Sequence, residues 1–124
     1  MAQIWKVSWN KKLYDYKKLI QDFNNEHHSG IIFQSKGKAH MVNLPQVDDI
    51  VYVSCNKQHI ITCIVISNFI YDGNEQNNDD YNLGDIERYH SDNKSYLSMK
   101  INKIHINPTP LKGCQRTWCK YKPP

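Results

Sequence analysis

The 124-residue chain has no apolar run near the roughly 18 residues that a membrane span needs, and no signal-peptide pattern at its start. Both absences lead to the expectation of a soluble intracellular protein, cytoplasmic or nuclear, with no membrane partner. Internal repeats are missing, as are a tight Cys-x2-Cys pair and any nucleophile motif. The four cysteines, Cys55, Cys63, Cys114 and Cys119, therefore need not pair or bind metal. Cys55 and Cys63 fall inside apolar strand patterns, where a free thiol behaves as a small buried hydrophobe. Cys114 and Cys119 lack a second ligand pair, and His90 and His105 would complete a zinc site only by a coincidence of folding. No metal and no cofactor is expected.

Acid is scarce over most of the chain. Six of the twelve acidic residues sit between Asp72 and Glu87, in "DGNEQNNDDYNLGDIE", where there is no Lys or Arg. All sixteen basic residues lie elsewhere, against the other six acids. A basic body with one acidic loop suits a polyanion such as nucleic acid, while solubilising lysines on a small protein account for the charge equally.

What is present is a single-domain pattern over residues 1–124. Ile4 to Ser8 alternates as a strand, with Trp5, Val7 and Trp9 on one side and Lys6 and Ser8 on the other. Asn10 can cap a helix, and Leu13, Tyr16, Leu19, Ile20 and Phe23 then recur at intervals of three and four, a helical face that ends at Asn24 and Asn25. A short apolar burst follows at 31–33, then a polar loop around Gly37. Ile50–Cys55 and His59–Tyr71 read as a hairpin turned by "NKQ". Residues 72–94 form a polar, acidic insertion. "SYLSMKINKIHI" returns as a strand, "NPTPLKG" is a Pro-punctuated loop, and "CQRTWCKY" is a last short strand. This order predicts an α+β fold: a small, mostly antiparallel β-barrel flanked by one or two helices.

Four stretches carry a family likeness: "KVSWN", "SGIIFQSKGKAH", "DDIVYVSCNKQHIITCIVI" and "SYLSMKINKI". In order and spacing the chain resembles the PUA-like superfamily, specifically its EVE and YTH branches. Phe33 stands at the position of a cage Trp, Tyr96 at that of a late Trp, and Thr62, Cys63 and Ile64 where a mid-hairpin glycine is usual. The resemblance implies a PUA-like barrel with a concave pocket near the exit of the first strand, which receives a base taken out of a nucleic-acid stack.

Such a pocket needs aromatic walls and a few polar groups to read a base edge. Trp9, Phe33 and Tyr96 are the candidate walls. Ser8, Asn10, Ser54 and Asn56 are the candidate polar groups. Trp9 and Phe33 are equally readable as core, and Trp5 is read as core outright. Lys36, Lys38 and His40 around Gly37, with Arg116 and Lys120 near the end, are candidates for phosphate contacts, and Trp118 is read as closing the barrel. The expected function is a non-catalytic nucleic-acid-binding module, for RNA or DNA, reading a modified or flipped base. The alternative is a protein–protein interaction module that keeps the fold and has lost the pocket. Catalysis has one candidate, Cys55 with His59 four residues on, against the commoner reading of a hairpin turn with a buried thiol.

Overall fold

The structure, a computed structural model, describes residues 2–35, 44–67, 70–71, 81, 83, 95–114 and 118–123. Its strands are β1 (Ile4–Trp9), β2 (Ile31–Ser35), β3 (Ile50–Cys55), β4 (Gln58–Val65), β5 (Ile70–Tyr71), β6 (Ser95–Pro110) and β7 (Cys119–Lys120), with one helix, α1 (Tyr16–Asn24). All seven strands join one sheet in the order β2-β6-β4-β3-β1-β7, and β5 pairs with the start of β6. The sheet curls into a half-barrel, so the chain is a small α+β, barrel-like protein.

Alternation decides which face each residue takes. Trp5 and Val7 of β1, Val51 and Val53 of β3, Ile61 and Cys63 of β4 and Leu97 and Met99 of β6 all point inward and form one apolar cluster. Leu19 of α1 is fully buried in that cluster, with Tyr16, Ile20 and Phe23 packed at its margin. The helix therefore plugs the concave side of the sheet and leaves the convex side uncovered by it.

The β3–β4 hairpin turns at Asn56 and Lys57, both with positive φ (54° and 61°). Two consecutive left-handed residues make a type I′ turn, whose twist matches that of the flanking strands. Asn takes this conformation readily, whereas Lys is held there; the Lys57 carbonyl accepts a hydrogen bond from the Leu111 amide at 2.9 Å. Gly30, with φ 86°, is fixed by packing as well: a Cβ there would sit 2.7 Å from the Phe23 ring.

Four sequence expectations shift. The helix begins at Tyr16 rather than after Asn10, because the Asp15 side chain accepts from the Lys18 amide as the true N-cap. Residues just before it are held in extended pairing: Leu83 N–H bonds the Leu13 carbonyl and Asp15 N–H the Tyr81 carbonyl. The long strand through Tyr71 breaks after Val65. There the Ser67 hydroxyl accepts from the Ser98 amide and meets the Ser98 hydroxyl, absorbing two extra residues before β5 resumes opposite Tyr96. The Pro-punctuated loop is strand as far as Pro110, since a wide register shift between His59 and Ile61 leaves Pro108 on unpaired backbone that needs no N–H. The insertion at 72–94 lies outside the described residues except for Tyr81 and Leu83.

The fourth shift concerns cysteine. Cys114 and Cys119 form a disulfide, with Cα atoms 6.3 Å apart, while Cys55 and Cys63 are buried free thiols. The bridge staples a strap at one end of the sheet. Reduction is expected to lower stability by about 2 kcal/mol, the chain-entropy worth of so short a loop. Melting curves with and without a phosphine reductant check this, and the Cys114→Ser/Cys119→Ser double variant should show no response to the reductant.

Candidate functional site

The residues named for a base pocket fall in three places. Trp9 is half-buried on the concave side. Its Nε1–H donates to Gln34 Oε1 at 2.9 Å, and its ring lies 4.8 Å from that of Tyr14. Phe33 and Tyr96 take the other face: they alternate with inward Ile32, Gln34 and Leu97, and lie on the paired strands β2 and β6. Phe33 is exposed, whereas Tyr96 is buried and burial pushes its hydroxyl upward in pKa. Ser8 and Ser54 are register partners on the convex face, but both hydroxyls hold the strap. Ser54 Oγ donates to the Leu111 carbonyl at 2.7 Å, and Ser8 Oγ accepts from the Cys114 amide at 2.6 Å. Asn10 caps the turn into Lys12, and Asn56 is spent on the hairpin turn. Among the described residues these side chains do not converge on one cavity.

Of the phosphate-contact candidates, Lys36, Lys38, His40 and Arg116 lie outside the described residues. Lys120 is exposed, with its ammonium 5.8 Å from the Trp5 ring centre. It lines a shallow groove of about 470 Å³ with Gln3, Ile4, Tyr121 and Lys122. The Cys55–His59 pairing does not form: Cys55 belongs to the inward cluster, and His59 stacks on the convex face. Burial raises the Cys55 thiol, with nearby Lys11 opposing, and pushes Cys63 up to about 12. Neither is a ready thiolate. No group of three or more metal-binding side chains occurs among the described residues.

What the fold does assemble is a row across the convex face. Lys6 of β1 pairs with Tyr52 of β3, Tyr52 with Thr62 of β4, and Thr62 with Lys103 of β6. Beside this row Tyr52 stacks on His59 at 4.2 Å and 27°, His59 meets His105 at 4.1 Å, and Tyr121 tilts against Tyr52 at 5.5 Å. The Lys6 ammonium lies 5.5 Å over the Tyr121 ring. Thr62 Oγ1 is 3.0 Å from His59 Nε2 and 2.8 Å from His105 Nε2.

The charges carried by the strands themselves have one sign, and Lys6, Lys100 and Lys103 lie on the convex face while Lys120 pairs opposite inward Trp5. The seven strands contain Lys6, Lys100, Lys103 and Lys120 and not one Asp or Glu. Both imidazoles are pushed toward the neutral form: His59 down to about 4, by burial and then by the neighbouring His105, and His105 downward by burial and then by Lys103. At neutral pH the row is thus two lysines flanking uncharged rings in mutual contact. Tyr52 alternates with Val51 and Val53, a signal for an outward residue, but Thr62 stands in a run that hardly alternates, and the parallel register that sets Lys6 beside them could not be read.

No family model matches the chain, and no curated protein compared with it in sequence matches either.

Proposed function

We propose that the chain is a divergent PUA-like, EVE/YTH-type domain that binds nucleic acid without catalysing a reaction, holding a short single strand across the convex face. The observation that carries this reading is the Lys6–Tyr52–Thr62–Lys103 row on a sheet whose strands bear lysine and no acid. Three interstrand steps separate the two lysines, about 14 Å. Four-stranded sheets elsewhere stack two or three bases over a comparable width. Mutual contact of Tyr121, Tyr52, His59 and His105, stacked in the central pair and tilted in the outer two, fixes the rings in advance, so little ordering entropy is left to lose on binding. A soluble intracellular setting belongs to the same proposal; among the described residues no helix is long and apolar enough to cross a membrane.

Fluorescence anisotropy with a labelled single-stranded decamer tests it. Affinity should fall steeply with salt, with a log–log slope that drops by about 1.4 when Lys6→Ala and Lys103→Ala are combined, roughly 0.7 for each phosphate lost. Lys17→Ala, on the exposed side of α1, should leave the slope unchanged. A slope insensitive to the two row lysines would defeat this placement.

A second reading has its own observation. Ile31 and Phe33 stand exposed (40% and 43%) on β2, the strand at one end of the sheet order. They suit a protein–protein interaction module, which predicts no salt-sensitive binding of nucleic acid at all.

A further inference from the structure

The Cys114–Cys119 bridge meets the first strand at two points. Cys119 is the register partner of Lys6, and the Cys114 amide donates to the Ser8 hydroxyl at 2.6 Å. Lys6 and Ser8 alternate onto the convex face, so the bridge runs along the edge of the lysine–aromatic row. Two residues beyond Cys119, Tyr121 packs against Tyr52 at 5.5 Å, with the Lys6 ammonium 5.5 Å from its ring centre. The Tyr121 amide donates to the Ile4 carbonyl at 2.9 Å. Little else holds this end of the chain. β7 is two residues long and, among the described residues, pairs with β1 alone. Trp118 anchors it from the buried side, and the bridge is the covalent tie on the other.

The same bridge is open to thiol exchange. Both of its cysteines are half-buried, whereas Cys55 and Cys63 are 1% and 0% exposed. Cys114 and Cys119 stand five positions apart, and a loop so short gains the least from being closed. Exposed disulfides are the labile ones, and in a reducing compartment a disulfide is characteristically transient or redox-sensing.

We propose that the Cys114–Cys119 bridge is a redox site that sets the affinity of the convex face: closed, it clamps Tyr121 into the aromatic row, and opened by a dithiol, it lets β7 and Tyr121 come away. The inference rests on the nucleic-acid reading above. In the exchange a thiolate of the dithiol attacks one bridge sulfur, and the other sulfur leaves as a thiolate and takes up a proton. The second thiol of the reductant then displaces the first cysteine. The bridge gains two electrons and two protons, and the dithiol becomes a disulfide.

Fluorescence anisotropy with the labelled single-stranded decamer, on oxidised protein and on protein treated with dithiothreitol, tests this, with alkylation and intact mass reporting the state of the bridge. Treatment of the folded protein should expose two alkylatable thiols and weaken binding about ten-fold, toward the lower end of what one stacked ring is worth. Reoxidation should restore the affinity. The Cys114→Ser/Cys119→Ser variant should bind like reduced protein with or without the reductant, and Tyr121→Ala should bind weakly in both states. Exchange of the Tyr121 amide should quicken on reduction while the amides of Val53 and Ile61 hold their rates, which separates release of β7 from unfolding. A bridge that dithiothreitol fails to open in folded protein, equal affinity in the two states, or a redox response that survives in Tyr121→Ala would each overturn the inference while leaving salt-sensitive binding intact. Absence of salt-sensitive binding in both states would instead bring down the nucleic-acid reading, and this inference with it.

Discussion

Replacing Asp49 with Ala should cost about 3 kcal/mol of folding stability at neutral pH. The carboxylate is 6% exposed and accepts three hydrogen bonds: from the Trp5 indole at 2.9 Å, the Gln46 amide at 2.9 Å and the Gln3 amide at 3.1 Å. Alanine strands those donors, and each buried donor left without a partner costs about 1–3 kcal/mol. Gln3 and Gln46 are both exposed and their amides can turn to water, so the cost concentrates on the Trp5 indole, whose bond is buried. Burial raises the Asp49 pKa, but the three hydrogen bonds together outweigh it, and the net shift is downward. A carboxylate depressed in the folded state contributes stability that is fully present above the unfolded value near 3.9 and is lost as pH falls through the lower folded value. The gap between wild type and Asp49→Ala should therefore hold steady from pH 8 to about 5 and narrow below about 4. Urea unfolding at pH 7 and pH 3 measures it; a gap that widens in acid would contradict the hydrogen-bond account.

Trp118→Ala should be costlier, about 3–5 kcal/mol, or a fall in Tm on the order of 10–15 °C. Trp118 is 4% exposed and meets Trp5 edge-on at 6.3 Å and 84°. Its Nε1–H donates to the Ser35 carbonyl at 3.0 Å, and Ser35 is the last residue of β2. β2 and the β7 edge are the two ends of the strand order, so this bond, with the one from Trp9 to Gln34, fastens the half-barrel end to end. Trp118→Phe keeps most of the apolar contact and loses the donor, and should cost about 1–2 kcal/mol. Hydrogen exchange separates the roles: in both variants the β2 amides should exchange faster, with those of β3 and β4 affected least. Uniform acceleration across the sheet would mean that Trp118 fills space without fastening the seam.

How much of this was legible depended on how local the deciding interaction was. β1 and the β3–β4 hairpin are written in short-range alternation and a two-residue turn, and they stand where the pattern put them. Trp118 as the closing residue was readable from its size and place in a short strand. The role of Asp49 left no local signal, because its hydrogen-bond donor Trp5 is 44 positions away. The helix start was misplaced for a related reason: Asn10 and Asp15 are both good caps, and the pairing of Leu13 and Asp15 with Leu83 and Tyr81 chose between them. The pocket of Trp9, Phe33, Ser54 and Tyr96 failed to gather because resemblance supplies the order of elements, while face is set by register. Trp9 looks inward, and Phe33 and Tyr96 outward. Ser8 and Ser54 were sensibly picked as polar groups at strand ends, yet their acceptor and donor lie in the strap, beyond the reach of any local pattern.

The parallel pairing of β1 with β3 also sets the order in which the chain can assemble. β3, β4 and β6 join through antiparallel contacts, and the tight turn at Asn56–Lys57 makes their nucleus cheap to form. β1 has no neighbour near it in sequence: Trp5 lies against Val51 on one side and Lys120 on the other. During synthesis it emerges before both of its partners, carrying Trp5, Val7 and Trp9 uncovered until β3 and then β7 follow. The lysine and serine that alternate with those residues keep the waiting segment hydrated on one side, well before Lys6 takes its place in the row.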